Sequence, residues 1–177
     1  MSLIERPAPG SYPAYFDNYL GRVADPWPML GVQPTAVHQL LAGLTDAQAA
    51  LRYAPGKWSI KQVVLHLADA ERIFAYRALC IARGEVQSLP GFDENTYADV
   101  SSADERTLAS LLTEYAAVRQ ATLALYQSFT AEQLNRHGQA NANPVTVRAL
   151  LFVTAGHEAH HLHILAERYL PLLTTGA

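Results

Sequence analysis

Apolar residues recur along this chain at spacings of three and four, and alanine and leucine dominate the repeating segments. That spacing gathers them on one side of a helix. No alternating run of valine, isoleucine and threonine bounded by turn residues occurs, so the pattern predicts an all-helical protein. Helical pieces over 13–23 and 34–44 are expected on either side of the proline-rich interruption DPWPMLGVQP at 25–34. TDAQAALR (45–52) reads as a capped helical turn with Thr45 as N-cap, and YAPGKW as a loop. Ser59 with Gln62 three positions later forms a capping-box pattern that opens a long helix. It runs to about Arg83 and stops at Gly84. A linker rich in turn formers spans 84–100, and a third helix over 101–129 is capped by Ser101 or Ser102. TAEQLNR (130–136) adds a turn. Asn143 and Pro144 supply an N-cap and first helical residue for the last helix, about 145–169, which Pro171 closes.

Four long helical regions in one domain spanning 1–177 predict a four-helix bundle. A helix of 25 residues is about 37 Å long, whereas a 17-residue linker reaches more than roughly 50 Å when extended. The 84–100 segment is therefore long enough to return along the bundle. That lets the second and third long helices run parallel, in up-down-down-up order.

Composition narrows the function classes. Half of the residues are hydrophobic, 16% are charged and the formal charge is −3. Two lysines and eleven scattered arginines make no basic stripe, so a nucleic-acid surface is not expected. The apolar stretch ALLFVTA (149–155) falls far short of the roughly 18 residues that span a bilayer, and the first residues hold no signal-like apolar core. Cys80 is the sole cysteine, which excludes an intrachain disulfide and a cysteine-rich zinc site and suits a reducing cytoplasm.

The unusual chemistry sits in GHEAHHLHIL, where His157, His160, His161 and His163 fall within seven positions. His157 and His161 are four apart, so their side chains stack on one helical face, which continues through Leu150, Thr154, Ile164 and Arg168. Two imidazoles at this spacing hold one metal ion from a single helix. A metal also satisfies two buried ring nitrogens that would otherwise need separate partners. His66 is the other mid-helix histidine. Alone it reads as an ordinary core or boundary residue, but it is available as a third ligand from a facing helix. The pairs His157–His160 and His160–His163 are geometrically open as well. The four-residue pair overlays best on the apolar stripe, which leaves His160 as a supporting, interface or surface residue and His163 on the surface. His38 and His137 receive no role.

Three neutral imidazoles leave a divalent ion its full charge. Zinc so held brings the pKa of bound water from 15.7 down to roughly 7 and makes a coordinated thiol a thiolate. Three protein ligands also leave one position open. HEAHH (157–161) matches the zinc-protease pattern H-E-x-x-H letter for letter, with Glu158 as general base. Against that, Ile164 and Glu167 stand where one protease class has glycine and histidine, and no edge strand is foreseen to hold a peptide. Asp69 and Glu71 lie near His66 as candidates to hold an imidazole nitrogen or to pair with Arg72 or Lys57. Glu158 is a candidate support beside His157, and Trp58 a packing residue.

KWSIKQVVLHLADAE (57–71), LPGFDENTYA (89–98) and GHEAHHLHI (156–164), together with the YPAYFDNYL start, resemble the DinB/YfiT-like superfamily of metal-dependent enzymes. The resemblance spans nearly the whole chain. It implies a four-helix bundle of up-down-down-up order, a metal held by one histidine of the second helix and two of the last, and a homodimer. Carried to this sequence, the ligands are His66, His157 and His161. The expected cofactor is a divalent ion, zinc or nickel. The expected activity is activation of a thiol or water against a small electrophile, of the thiol-dependent S-transferase type. A metal-dependent hydrolase and a non-catalytic metal-binding stress protein are the alternatives. The partners implied are a small-molecule substrate and a low-molecular-weight thiol, with no nucleic acid and no membrane.

Overall fold

A 3-10 turn at Ala14–Phe16 leads into α1 (Asp17–Leu20), shorter than the helical piece expected over 13–23. The computed structural model describes residues 4–174. The next helix, α2 (Pro26–Leu41), runs straight through the proline-rich segment that was expected to interrupt it. Asp25 caps it, its side chain accepting from the Trp27 N–H at 3.1 Å. Pro26 and Pro28 fall in the first turn, where backbone N–H groups have no helical partner to lose. Pro34 is different, because its missing N–H leaves the Leu30 carbonyl without a helical bond. Arg119 supplies it: its Nη1 donates to that carbonyl at 3.1 Å.

The Thr45 and Ser59 caps are both present, with reciprocal Gln48 and Gln62 contacts, and they open α3 (Asp46–Ala49) and α4 (Ile60–Ala82). Gly84 follows α4 at φ +94°, a conformation that favours glycine. The linker contains a further helix, α5 (Glu94–Val100), capped by Asp93. The third long helix, α6 (Leu108–Gln127), begins later than expected. Ser102 sits in the left-handed region, a 3-10 turn follows, and Thr107 is the cap. Thr130 opens the turn α7 (Ala131–Leu134) through a capping box.

Where the last helix was expected to begin there is a hairpin, β1 (His137–Ala140) paired antiparallel with β2 (Asn143–Thr146). Its turn residues Asn141 and Ala142 both have positive φ, as a two-residue hairpin turn requires. Thr146 then caps α8 (Val147–Ile164). The chain continues through one π turn at Leu165–Tyr169 into α9 (Leu170–Thr174), so Pro171 does not end it. The wide turn ahead of Pro171 lies where the regular ladder would need an N–H that proline lacks.

Two buried clusters fix the order of the bundle. Leu30, Phe74, Ile81, Tyr126 and Leu150 share one, and Val37, Leu41, Val63, Leu111 and Leu165 share the other. Followed from N- to C-terminus, α2 and α8 pass from the first cluster to the second, and α4 and α6 pass the opposite way. The four-helix bundle is therefore up-down-down-up. Among the described residues no helix is long and apolar enough to cross a membrane.

A buried charge network joins all four long helices. The Arg119 side chain is 0% exposed. Its Nε and Nη2 donate to the two Glu71 carboxylate oxygens at 2.8 and 2.7 Å. Nη2 also donates to Glu158 Oε2, which accepts from the Tyr115 hydroxyl at 2.7 Å. Nη1 reaches α2 through Leu30 and through Gln33 Oε1, and Gln33 Nε2 donates to the Ala155 carbonyl of α8 at 2.7 Å. Although burial works against its charge, these carboxylates hold the Arg119 pKa above its ordinary value. Burial pushes the Glu158 carboxyl up.

Removing one member of a buried charge network strands the others in a low-polarity core. Arg119→Ala should therefore destabilise the protein by about 3–5 kcal/mol, read as a lower midpoint in chemical denaturation. A change within experimental error would show that the network contributes little.

Candidate metal centre

α4 carries His66 in the middle of a buried face, with Val63, Ala70 and Phe74 along the same side. α8 carries His157 and His161 one turn apart, and packs against α4. The three rings converge. His157 Nε2 lies 3.0 Å from His66 Nε2 and 3.2 Å from His161 Nε2. One ligand atom from each residue lies within 4.8 Å of the other two.

Proton sharing does not satisfy such a trio. A neutral imidazole nitrogen carries either a hydrogen or one lone pair, so a central nitrogen serves one neighbour well. A divalent ion accepts all three lone pairs. Zinc–nitrogen bonds of about 2.0–2.1 Å at tetrahedral angles set neighbouring nitrogens about 3.3 Å apart. The observed 3.0 and 3.2 Å lie close to that value, so the donor set fits a metal.

Aromatic rings hold the imidazoles in place. Trp58 packs 4.6 Å from the His66 ring and lies nearly parallel to the His161 ring at 6.4 Å. Tyr19 and Phe74 meet His157 edge-on at 5.4 and 5.5 Å. Tyr19 reaches this position because Gly156 gives it room: a Cβ there would stand 2.2 Å from the Tyr19 carbonyl oxygen. The glycine that opens GHEAHH thus serves a close approach of α1 to α8.

Burial strips the rings of their usual basicity. It pulls His66 down to about 4. His157 and His161 are held well below their ordinary value, by burial first and then by the neighbouring histidines.

The rings border a cavity of about 340 Å³, whose wall includes Tyr15, Phe92, Arg77, Glu94 and His160. The hairpin that periodicity did not reveal builds part of this wall. Leu89 N–H donates to the Gln139 carbonyl at 2.9 Å, and Asn141 N–H donates to the Leu89 carbonyl at 2.8 Å. These bonds pin the linker so that Gly91 and Phe92 lie over the cavity. Gly138 lets the hairpin sit on α4, since a Cβ there would be 2.5 Å from Ile81 Cγ1.

Other sequence candidates lie elsewhere. Asp69 pairs with Arg72 at 3.0 Å and Glu71 with Arg119, so neither holds an imidazole. Glu158 turns away into the Arg119 network instead of supporting His157. His160 lines the cavity, its ring 5.2 Å from that of His161, but stands outside the converging trio. His38, His137 and His163 are exposed. Trp58 does more than pack the helix start, and Arg77 was not foreseen as a cavity residue. Its signal was present: it stands eleven residues after His66, three turns along the same helical face.

Comparison with known proteins bears on the family and the fold. The DinB superfamily model matches residues 29–165. A candidate metal-dependent hydrolase of Geobacillus thermodenitrificans is 32% identical over 136 residues, covering 72% of this chain and 73% of that one. YfiT of Bacillus subtilis, also named as a candidate metal-dependent hydrolase, is 26% identical over 139 residues and 76% of each chain. The solved structure of YfiT, described as having an unusual four-helix bundle topology, superposes with a TM-score of 0.76. It covers 95% of this chain and 93% of YfiT at 20% identity. A DinB-like protein of Bacillus subtilis superposes at 0.52, also at 20% identity, over 92% and 91% of the two chains. The family match runs from α2 to the residue after α8 and takes in all three converging histidines, and the chain belongs to the DinB superfamily.

Proposed function

We propose that His66, His157 and His161 hold one divalent ion, zinc or nickel, and that the chain is a metal-dependent enzyme activating a small nucleophile against a small electrophile. The observation that carries this reading is the convergence of three Nε2 atoms, from buried His66 and His157 and half-buried His161, at the edge of a cavity. A metal-storage role would call for a site closed by a fourth protein ligand, and His160 stands outside the trio.

An ion held by three neutral imidazoles supplies strong electron withdrawal at its open position, enough to turn a thiol of pKa about 8.5 into a thiolate at neutral pH. The protein's own residues set the stage. The depressed pKa values of the rings keep their lone pairs free at neutral pH. Trp58, Tyr19 and Phe74 fix the ring planes and line the site with apolar surface, where electrostatic effects are stronger than in water.

The nucleophile we favour is a low-molecular-weight thiol. Hydrolysis on the H-E-x-x-H plan needs a carboxylate beside the ion to take a proton from water. Glu158 is committed to Arg119 and Tyr115, Asp69 to Arg72, and Glu94 on the cavity wall is solvent-exposed. A coordinated thiol has less need of such a base. The names of the relatives support hydrolysis as the second reading.

Elemental analysis of tag-free protein should find about one divalent ion per chain. His66→Ala should lose it while keeping the helical circular dichroism of the parent. The loaded parent should consume a small thiol with 1-chloro-2,4-dinitrobenzene, and His66→Ala should not. Ester cleavage without thiol would select the hydrolase. No stoichiometric ion, with His66→Ala behaving as the parent, would contradict the metal centre.

A pH dependence follows for the metal-stripped protein. A histidine in the unfolded chain protonates near 6.5, but folded His66 does so only at about 4. Between these values the unfolded state binds more protons, so stability falls as pH drops through that window. Thermal melts from pH 7 to pH 4 should show a steeper decline in the parent than in His66→Ala. Equal slopes would show that the buried ring is not held neutral.

A further inference from the structure

Three arrangements outside the histidine trio invite a reading. One is an apolar groove between α4 and α6 around Tyr76 and Leu79. Nothing in the structure says what covers it. The second is the Arg119 network, whose charges pair with one another inside the core and face no cavity beside the histidines; Glu158 Oε1 is its one atom without a partner among the described residues. The third is Arg77.

Arg77 is 6% exposed, yet among the described residues no ion pair joins it to a carboxylate. Among the described residues every ion pair of a buried cation goes elsewhere: Arg119 to Glu71 and Glu158, Lys61 to Asp46. The hydrogen bond that Arg77 makes is from Nη2 to the Pro90 carbonyl at 2.7 Å, and its guanidinium lies 5.9 Å from the Phe92 ring centre. Burial pulls its pKa below the ordinary arginine value. A guanidinium carries five N–H donors and stays charged, so most of its hydrogen-bonding capacity remains unused by the described residues. Buried charges are normally paired because leaving water is costly. This one instead lines the same cavity as His66, His157 and His161.

We propose that Arg77 anchors the ligand of this cavity by binding a carboxylate on it. A planar guanidinium with free donors matches a carboxylate in a two-point contact. The walls between the two polar ends are aromatic, with Tyr15, Phe16, Phe74 and Phe92 among them. A cavity of about 340 Å³ admits only a compact molecule. His66 and Arg77 are eleven residues apart, about 16 Å of helix rise. The arginine side chain leans back toward the helix N-terminus and closes part of that gap. The ligand class is thus a short organic acid with a flat or apolar body, its carboxylate on Arg77 and its other end toward the histidines.

The placement of the reactive end rests on the metal-centre reading; the carboxylate contact does not. The carboxylate belongs either to the thiol or to the molecule that the thiol attacks, and two probe pairs distinguish these sources. One pair is 3-phenylpropanoate and its amide, and the other is 3-sulfanylpropanoate and its amide. Binding to metal-loaded and metal-stripped full-length protein is followed by calorimetry, in the parent, Arg77→Lys and Arg77→Met.

The expected result is roughly a tenfold or greater preference for acid over amide in at least one pair, as for a hydrogen bond to a charged group. That preference should persist in metal-stripped parent, shrink in Arg77→Lys and vanish in Arg77→Met. Amide binding should change little, which separates loss of an anion contact from a displaced linker. A preference seen only in loaded protein and kept in Arg77→Met would put the acid on the ion and overturn the proposal. Equal binding of acid and amide by the parent, or no binding of either acid, would overturn it as well. Metal content measured on the same samples reports on the metal centre separately.

Discussion

The bundle depends on where one arginine puts its charge. Arg119 of α6 binds Glu71 of α4 and Glu158 of α8, and its third nitrogen reaches the α2 carbonyl that Pro34 leaves unpaired. Glu71 stands five residues after His66, and Glu158 stands next to His157. The network therefore sets α4 and α8 in register beside the converging histidines. Apolar packing is tolerant of sliding, whereas a buried ion network has few satisfactory geometries. A site assembled from two helices that are distant in sequence needs that kind of constraint.

Burial then divides the labour between neighbouring polar residues. It leaves Glu158 engaged with Arg119 and Tyr115 while the adjacent His157 faces the other rings. HEAHH is thus split by the helical period: the histidines at its ends share one face and the glutamate takes another. Burial also keeps the imidazoles uncharged, the state in which they can act as metal ligands. Around them Trp58, Tyr19 and Phe74 supply rigid surfaces, and the pinned linker supplies the outer wall.

Much of this was legible before any coordinates. The caps at Thr45 and Ser59 act locally, through a side chain and a backbone group three residues apart, so they read directly from the sequence. The linker length and the four-residue spacing of His157 and His161 likewise pointed to the helix order and to the trio. The misses share a cause, which is that tertiary partners overrode local signals. Pro34 would break an isolated helix, but its orphaned carbonyl is served by a residue 89 positions away from Leu30. The hairpin has no apolar alternation, and it is held by its positive-φ turn and by the Leu89 bonds. Glu71 and Glu158 were read against nearby residues, while their true partner lies on another helix. Arg77 carried a periodicity signal three turns from His66, but only the closed fold reveals that no carboxylate among the described residues pairs with it.

The central claim is that the three imidazoles share one ion that keeps an open position. X-ray absorption at the edge of the metal that co-purifies with tag-free protein tests it most directly. Three histidine nitrogens at about 2.0–2.1 Å, together with one light exchangeable ligand that a small thiol replaces by sulfur near 2.3 Å, are the spectrum the account predicts. A fourth histidine in the shell, or a shell unchanged by thiol, would contradict it.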